Sequence, residues 1–164
     1  MGNPIIKVEK GLIDVLLEII MLIGLITLIL IPLFYYKDLP EMIPTHFNAK
    51  GTPDDYNSKS MIWFLPIIGL FLAAGLFVLN KSPHVFNYPK AFTKDNASKY
   101  YRNSTRLIRV LNLTITWTFV FILYKSVQVA LGHSENLGIW FLPVFLIIIF
   151  GAIIYFALGA RKIA

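Results

Sequence analysis

Apolar residues fill this chain in long continuous blocks. They do not alternate as in a half-buried strand, nor recur every three to four residues as in a surface helix. Four blocks stand out: Leu12–Tyr36, Met61–Leu79, Leu107–Leu131 and Leu137–Leu158. A helix needs roughly 20 apolar residues to cross the hydrocarbon core of a bilayer, and each block has about that length. None has the period-two pattern of a barrel strand. The pattern therefore predicts four transmembrane helices. The first block is too long for the core of a signal peptide. Tyr35, Tyr36 and Lys37 follow it where a small-residue cleavage site would stand, so it reads as a retained helix.

The polar stretches between the blocks set an orientation. The segment after the second block carries Lys81, Lys90, Lys94, Lys99, Arg102, Arg106 and Arg109 against Asp95 alone. Lys7 and Lys10 precede the first block, and Arg161 and Lys162 follow the last. The stretch 37–59 instead balances its lysines with Asp38, Glu41, Asp54 and Asp55, and the last connection has Glu135 and neither Lys nor Arg. Because Lys and Arg collect in cytoplasmic loops, both termini are expected inside. The fold class expected is an all-α membrane protein. It would be a four-transmembrane-helix antiparallel bundle, N-in/C-in, with an ordered extracytoplasmic loop between the first two helices. The chain reads as one integral membrane domain over residues 1–164, with the outer loop at 37–60 and a basic cytoplasmic segment at 80–106. Gly69, Ala73, Ala74 and Gly75 form a small-residue strip suited to close helix packing. Ile62-Trp-Phe-Leu-Pro66 recurs as Ile139-Trp-Phe-Leu-Pro143, each copy opening a helix at the outer interface, where Trp is favoured.

Composition narrows the chemistry. The chain has 164 residues, 57% hydrophobic and 15% charged, well below the charge of a soluble domain, about 25%. It contains no cysteine, which removes disulfides, thiol catalysis and thiolate metal sites. The net charge of +6 is concentrated beside apolar blocks, so it reads as membrane topology and not as nucleic-acid binding.

The outer loop is the most distinctive segment. Pro40, Pro44 and Pro53 hold it to extended and turn conformations. Thr45-His46-Phe47 is expected as a short strand, and Asn48-Ala-Lys-Gly51 as a turn. Leu39, Met42, Ile43 and Phe47 are expected to pack on the helix ends, making the loop an ordered cap. The string Tyr36, Leu39-Pro40, Ile43-Pro44, His46-Phe47-Asn48, Gly51, Pro53-Asp54 and Ser58-Lys59 resembles the signature of a bacterial membrane family. This is domain-of-unknown-function family 1648, found also at the N-terminus of SdpI-type toxin-immunity proteins. Asn87-Tyr88-Pro89, Thr93, Asn96 and Tyr100-Tyr101-Arg102 are similar to the segment that follows in that family. The resemblance implies a multi-pass protein of the bacterial cytoplasmic membrane, with Leu39, Pro40, Ile43, Pro44, His46, Phe47, Asn48, Gly51, Pro53 and Asp54 as its motif loop.

Catalytic residues are not expected, since no nucleophile–base set is present. His46, with Glu41, Asp54 and Asp55 nearby, is the candidate metal ligand. No second histidine stands at ligand spacing, so neither a metal nor another cofactor is expected. Lys125, near the outer end of its helix, is expected to snorkel. Asp14 and Glu18 lie near the inner end of the first helix, where Glu18 is a candidate partner of Arg106 or Arg109. The cytoplasmic basic face comprises Lys90, Lys94, Lys99, Arg102, Arg106 and Arg109, a candidate surface for anionic lipid or a cytoplasmic protein. Thr93 or Asn96 is expected to cap a helix running directly into the third span. The favoured reading is an interaction or immunity-type protein that recognises a peptide or protein at its outer face and signals through the basic loop. A small transporter or channel component is the alternative, and a membrane enzyme ranks third.

Overall fold

The structure is a computed structural model describing residues 3–89 and 91–163. Its helices are α1 (Leu12–Tyr35), α2 (Phe64–Leu79), α3 (Ala97–Ala130) and α4 (Phe141–Arg161). All four are long and apolar enough to span a membrane, α2 together with the 3-10 turn Lys59–Trp63 that leads into it. Phe71, Ile147 and Ile154 are among many large apolar side chains left exposed on their outer surfaces. Water would penalise such a surface, whereas lipid does not. The molecule is a multi-pass α-helical membrane protein.

α3 is the central element, packing against α1, α2 and α4. Its 34 residues span about 50 Å, well beyond a hydrocarbon core of about 30 Å, so its polar first turns extend past the length a span needs while still packing, with Tyr100 and Tyr101 buried. Residues 97–106, expected as a capped extension of the span, are indeed helical. Asn96 precedes the helix but does not bond its free amides. Its side chain instead accepts from the Thr93 amide at 2.8 Å and donates to the Ala91 carbonyl. α4 is held more loosely and buries only Phe156.

Close packing uses half of the expected small-residue strip. Gly69 and Ala73, one helical turn apart, face inward. A Cβ on Gly69 would lie 2.6 Å from Leu28 Cδ2, so a larger residue would have to displace the buried Leu28 side chain where α1, α2 and α3 meet. Ala74 and Gly75 point away from the bundle, and a Cβ on Gly75 would meet nothing within 4 Å. The expectation that Gly75 packs is corrected, because its position on the turn turns it outward. Below this junction the Asn112 amide donates to the Ala73 carbonyl at 3.1 Å, tying α3 to α2.

The loop after α1 adds a small β element to the expected helical bundle. It is a two-stranded antiparallel hairpin, β1 (Met42–Phe47) with β2 (Pro53–Ser58). β1 is longer than the three residues expected, and β2 was not expected at all. Two register shifts, between Pro44 and His46 and between His46 and Phe47, bend β1 over the helix ends. The repeated Trp-Phe pairs occupy equivalent places: Trp63 and Trp140 are the residues preceding α2 and α4. Residues 137–140, expected within the last span, form an irregular approach to α4, with Gly138 at φ +95.

Candidate functional site

The hairpin end owes its order to apolar burial and one tight turn. Leu39, Ile43 and Pro44 are buried, and β1 packs on the end of α3 among Ile62, Leu123 and Val127. Met42, expected to pack as well, is exposed, and Phe47 is half-buried. At the turn, Asn48 Oδ1 accepts from the Lys50 and Thr52 amides at 2.9 and 3.2 Å. Gly51 takes φ +78, the left-handed region where a side chain is strained. Asn48 has no positive φ, so its contribution is the side-chain turn alone. The Gly51 carbonyl accepts from the Leu137 amide at 2.8 Å, joining the hairpin tip to the α3–α4 connection. Lys59 closes the base, with its Nζ 2.9 Å from Glu41 Oε1 and 5.5 Å from the centre of the Tyr36 ring. These contacts give Tyr36, Leu39, Ile43, Pro44, Asn48, Gly51 and Lys59 structural work. Pro40 lies exposed ahead of β1, and the half-buried Pro53 opens β2.

His46 and Asp54 remain. Both are exposed, with His46 Nδ1 2.5 Å from Asp54 Oδ1. Glu41 is engaged with Lys59, and Asp55 Oδ2 accepts from Asn57 at 2.9 Å. Of the three carboxylates placed near His46 by sequence, Asp54 meets it and the other two are engaged elsewhere. No group of three metal-ligating side chains occurs among the described residues.

Between the hairpin and the ends of α2, α3 and α4 lies a cleft of about 440 Å³. Its floor is apolar, with Ile62, Leu65, Leu123 and Phe141. Its rim is polar, with Thr45, His46, Asp55 and Asn57 from the strands, and the buried Ser126 of α3 adds a polar group within. Asn57 Nδ2 bridges Thr45 Oγ1 at 2.7 Å and Asp55 Oδ2, which fixes the rim. An apolar floor with a few fixed polar groups is the usual make-up of a ligand site. Asn57 was missed because it lies on β2, a strand the sequence did not signal, and the α3 contributors had no local signal because only folding brings them to the hairpin. Nearby, Lys125 donates to Ser134 Oγ at 2.5 Å, tying α3 to the connection before α4.

The opposite, basic end is built from buried charge. Asp14 is 2% exposed. Arg106 clasps it with two bonds, Nε to Oδ1 at 2.9 Å and Nη2 to Oδ2 at 3.0 Å. Asp14 Oδ2 also accepts from the Gly11 amide at 2.9 Å, stabilising the start of α1. Glu18 accepts from Arg109 Nε at 2.8 Å and Lys10 Nζ at 2.6 Å. The Glu18–Arg109 pair was anticipated and the Asp14–Arg106 pair was not. The basic face thus divides. Arg106 and Arg109 are internal braces, Lys94, Lys99 and Arg102 are exposed, and Lys90 lies outside the described residues. Around the start of α3, Tyr88 stacks on Phe92 with ring centres 4.7 Å apart and packs against Tyr100 and Tyr101. Burial raises the Tyr88 phenol above its ordinary pKa. Tyr101 donates to the Pro4 carbonyl, and Asn3 donates to the His84 and Phe86 carbonyls, so the N-terminal segment is bound onto this cluster.

Fold and surface together define a polytopic helical membrane protein with a structured hairpin at one end. Residues 22–70 match the family model described as "Domain of unknown function (DUF1648)", a stretch that contains the whole hairpin and both helix segments flanking it. An "Uncharacterized protein" of Archaeoglobus fulgidus is 26% identical over 138 residues, covering 79% of this chain and 75% of that protein. No solved structure matches.

Proposed function

We propose that this chain is a recognition protein of the immunity type in the cell membrane, with the hairpin on the outer face. The cleft beside the hairpin binds an amphipathic peptide or protein segment. The observation that carries the reading is the cleft itself, with its apolar floor and its rim fixed by Asn57. Apolar side chains of a partner would fill the floor, while its donors or cations meet Asp55. The distribution of Lys and Arg supports the outward placement of the hairpin. The resemblance to SdpI-type proteins supports an immunity role. α3 offers a route for signalling, since β1 packs on one of its ends and the basic segment enters the other. A transporter is less favoured, because the charges nearest the bundle core are held in ion pairs at the basic end.

The test is native mass spectrometry of the protein extracted with its surrounding membrane. Wild type should retain a peptide in stoichiometric amount, and Asn57→Trp, which fills the rim from an exposed position, should lose it. Retention of lipid or ions alone, or of the same peptide by both proteins, would overturn the reading.

A further inference from the structure

We infer that the basic end holds a second site, for a polyol phosphate, the chemistry of a phosphatidylglycerol headgroup. A cavity of about 240 Å³ lies between the N-terminal segment, α1, the end of α2 and α3. That is smaller than the roughly 300–1,000 Å³ of drug-sized sites and suits a headgroup. Four cations line it, Lys7, Lys10, Lys81 and Arg109, against one carboxylate, Glu18, a balance of +3. Lys10 and Arg109 already hold Glu18. Lys7 and Lys81 have no carboxylate partner among the described residues, and Lys81 Nζ stands 4.6 Å over the Phe77 ring, another lining residue. Two uncommitted ammonium groups at one cavity favour an anion.

Asn80 narrows the ligand further. It lines the same cavity, and its Oδ1 is buried with no hydrogen-bond partner among the described residues. A bare phosphate diester only accepts hydrogen bonds and cannot satisfy that oxygen, whereas a ligand carrying hydroxyl groups can. Location points the same way. Lys10 and Lys81 stand just beyond the ends of α1 and α2, where apolar helix gives way to the headgroup layer, and exposed Val78 and Leu79 lie alongside for acyl chains. The site is independent of the hairpin cleft.

The test titrates purified protein in phosphatidylcholine discs with phosphatidylglycerol, phosphatidic acid or soluble glycerol phosphate, reading bound ligand by native mass spectrometry. Lys7→Gln with Lys81→Gln should weaken phosphatidylglycerol binding about 10- to 30-fold. Lys94→Gln with Lys99→Gln removes the same charge from exposed positions at the same end and should cost less than about 3-fold. Asn80→Ala should reduce the preference for phosphatidylglycerol over phosphatidic acid. Unchanged melting midpoints keep these comparisons valid, since the exchanged lysines are exposed. Failure of glycerol phosphate to compete assigns the lipid as the source, and full competition assigns a soluble polyol phosphate to the same site. Equal losses from both lysine pairs, or phosphatidylglycerol binding no tighter than phosphatidylcholine, would overturn the site.

Discussion

The two ends of the molecule treat their charges in opposite ways. At the hairpin end, order comes from strand pairing and from buried Leu39, Ile43 and Pro44, while the ion pairs Glu41–Lys59 and His46–Asp54 remain largely in the open. Exposed pairs contribute about 0–1 kcal/mol, so the hairpin does not depend on them. At the basic end the reverse holds, because Asp14 is sealed beneath Arg106 and Glu18 beneath Arg109. A buried charge deprived of its partner is costly, so those residues are committed to holding α1 against α3. Polar groups that the fold does not require are the ones free to meet a partner. By that criterion the hairpin rim is available, whereas Arg106 and Arg109 are not.

The contrast can be broken most severely at Asp14. Asp14→Ala leaves Arg106 without its carboxylate and removes the acceptor of the Gly11 amide, and should destabilise the bundle by about 3–5 kcal/mol. Chemical denaturation in detergent measures this. Glu41→Ala, the matching change at the exposed pair, should cost less than about 1 kcal/mol, and equal losses would erase the distinction. Next in size is Gly69→Leu, which forces side chain into the three-helix junction at about 1–3 kcal/mol or more. Gly75→Leu, on the outward side of the same helix, should change stability by no more than about 0.5 kcal/mol. Gly51→Val should cost about 1–2 kcal/mol, because valine is strained at φ +78, and a Cβ there would also lie 3.0 Å from the Gly138 carbonyl oxygen. Hydrogen exchange should show that loss in β1 and β2, leaving the helices protected. The smallest effect is expected at His46→Gln, under about 1 kcal/mol in stability. It should also impair peptide retention less than Gly51→Val does. The opposite order would move chemistry at His46 ahead of the shape of the cap.

Much of the fold was legible because lipid imposes a simple demand: each span is apolar over about 20 residues whatever its neighbours. The turn at Gly51 was legible for a similarly local reason. β2 was not, because Pro53-Asp-Asp-Tyr-Asn-Ser58 is rich in residues with poor strand preference and is held by pairing with β1. The start of α4 was misplaced because Leu137 is apolar but is buried at the hairpin tip, outside the helix. Asp14 and Arg106 are 92 residues apart, and nothing local distinguishes that pairing from several others. The candidate cleft was only half legible. Its hairpin side lies in the motif loop, while Ser126 and Phe141 reach it only when the helices assemble.

Recognition at the hairpin requires that this end face outward and the basic end face the cytoplasm. Single cysteines report this cleanly, since the native chain has none. Exposed Asn57 and Glu135 mark the hairpin end, and exposed Lys94 marks the basic end. In intact cells an impermeant thiol reagent should label cysteine at 57 and at 135, and should label cysteine at 94 only after the membrane is opened. Labelling at 94 in intact cells, with 57 and 135 protected, would contradict the account.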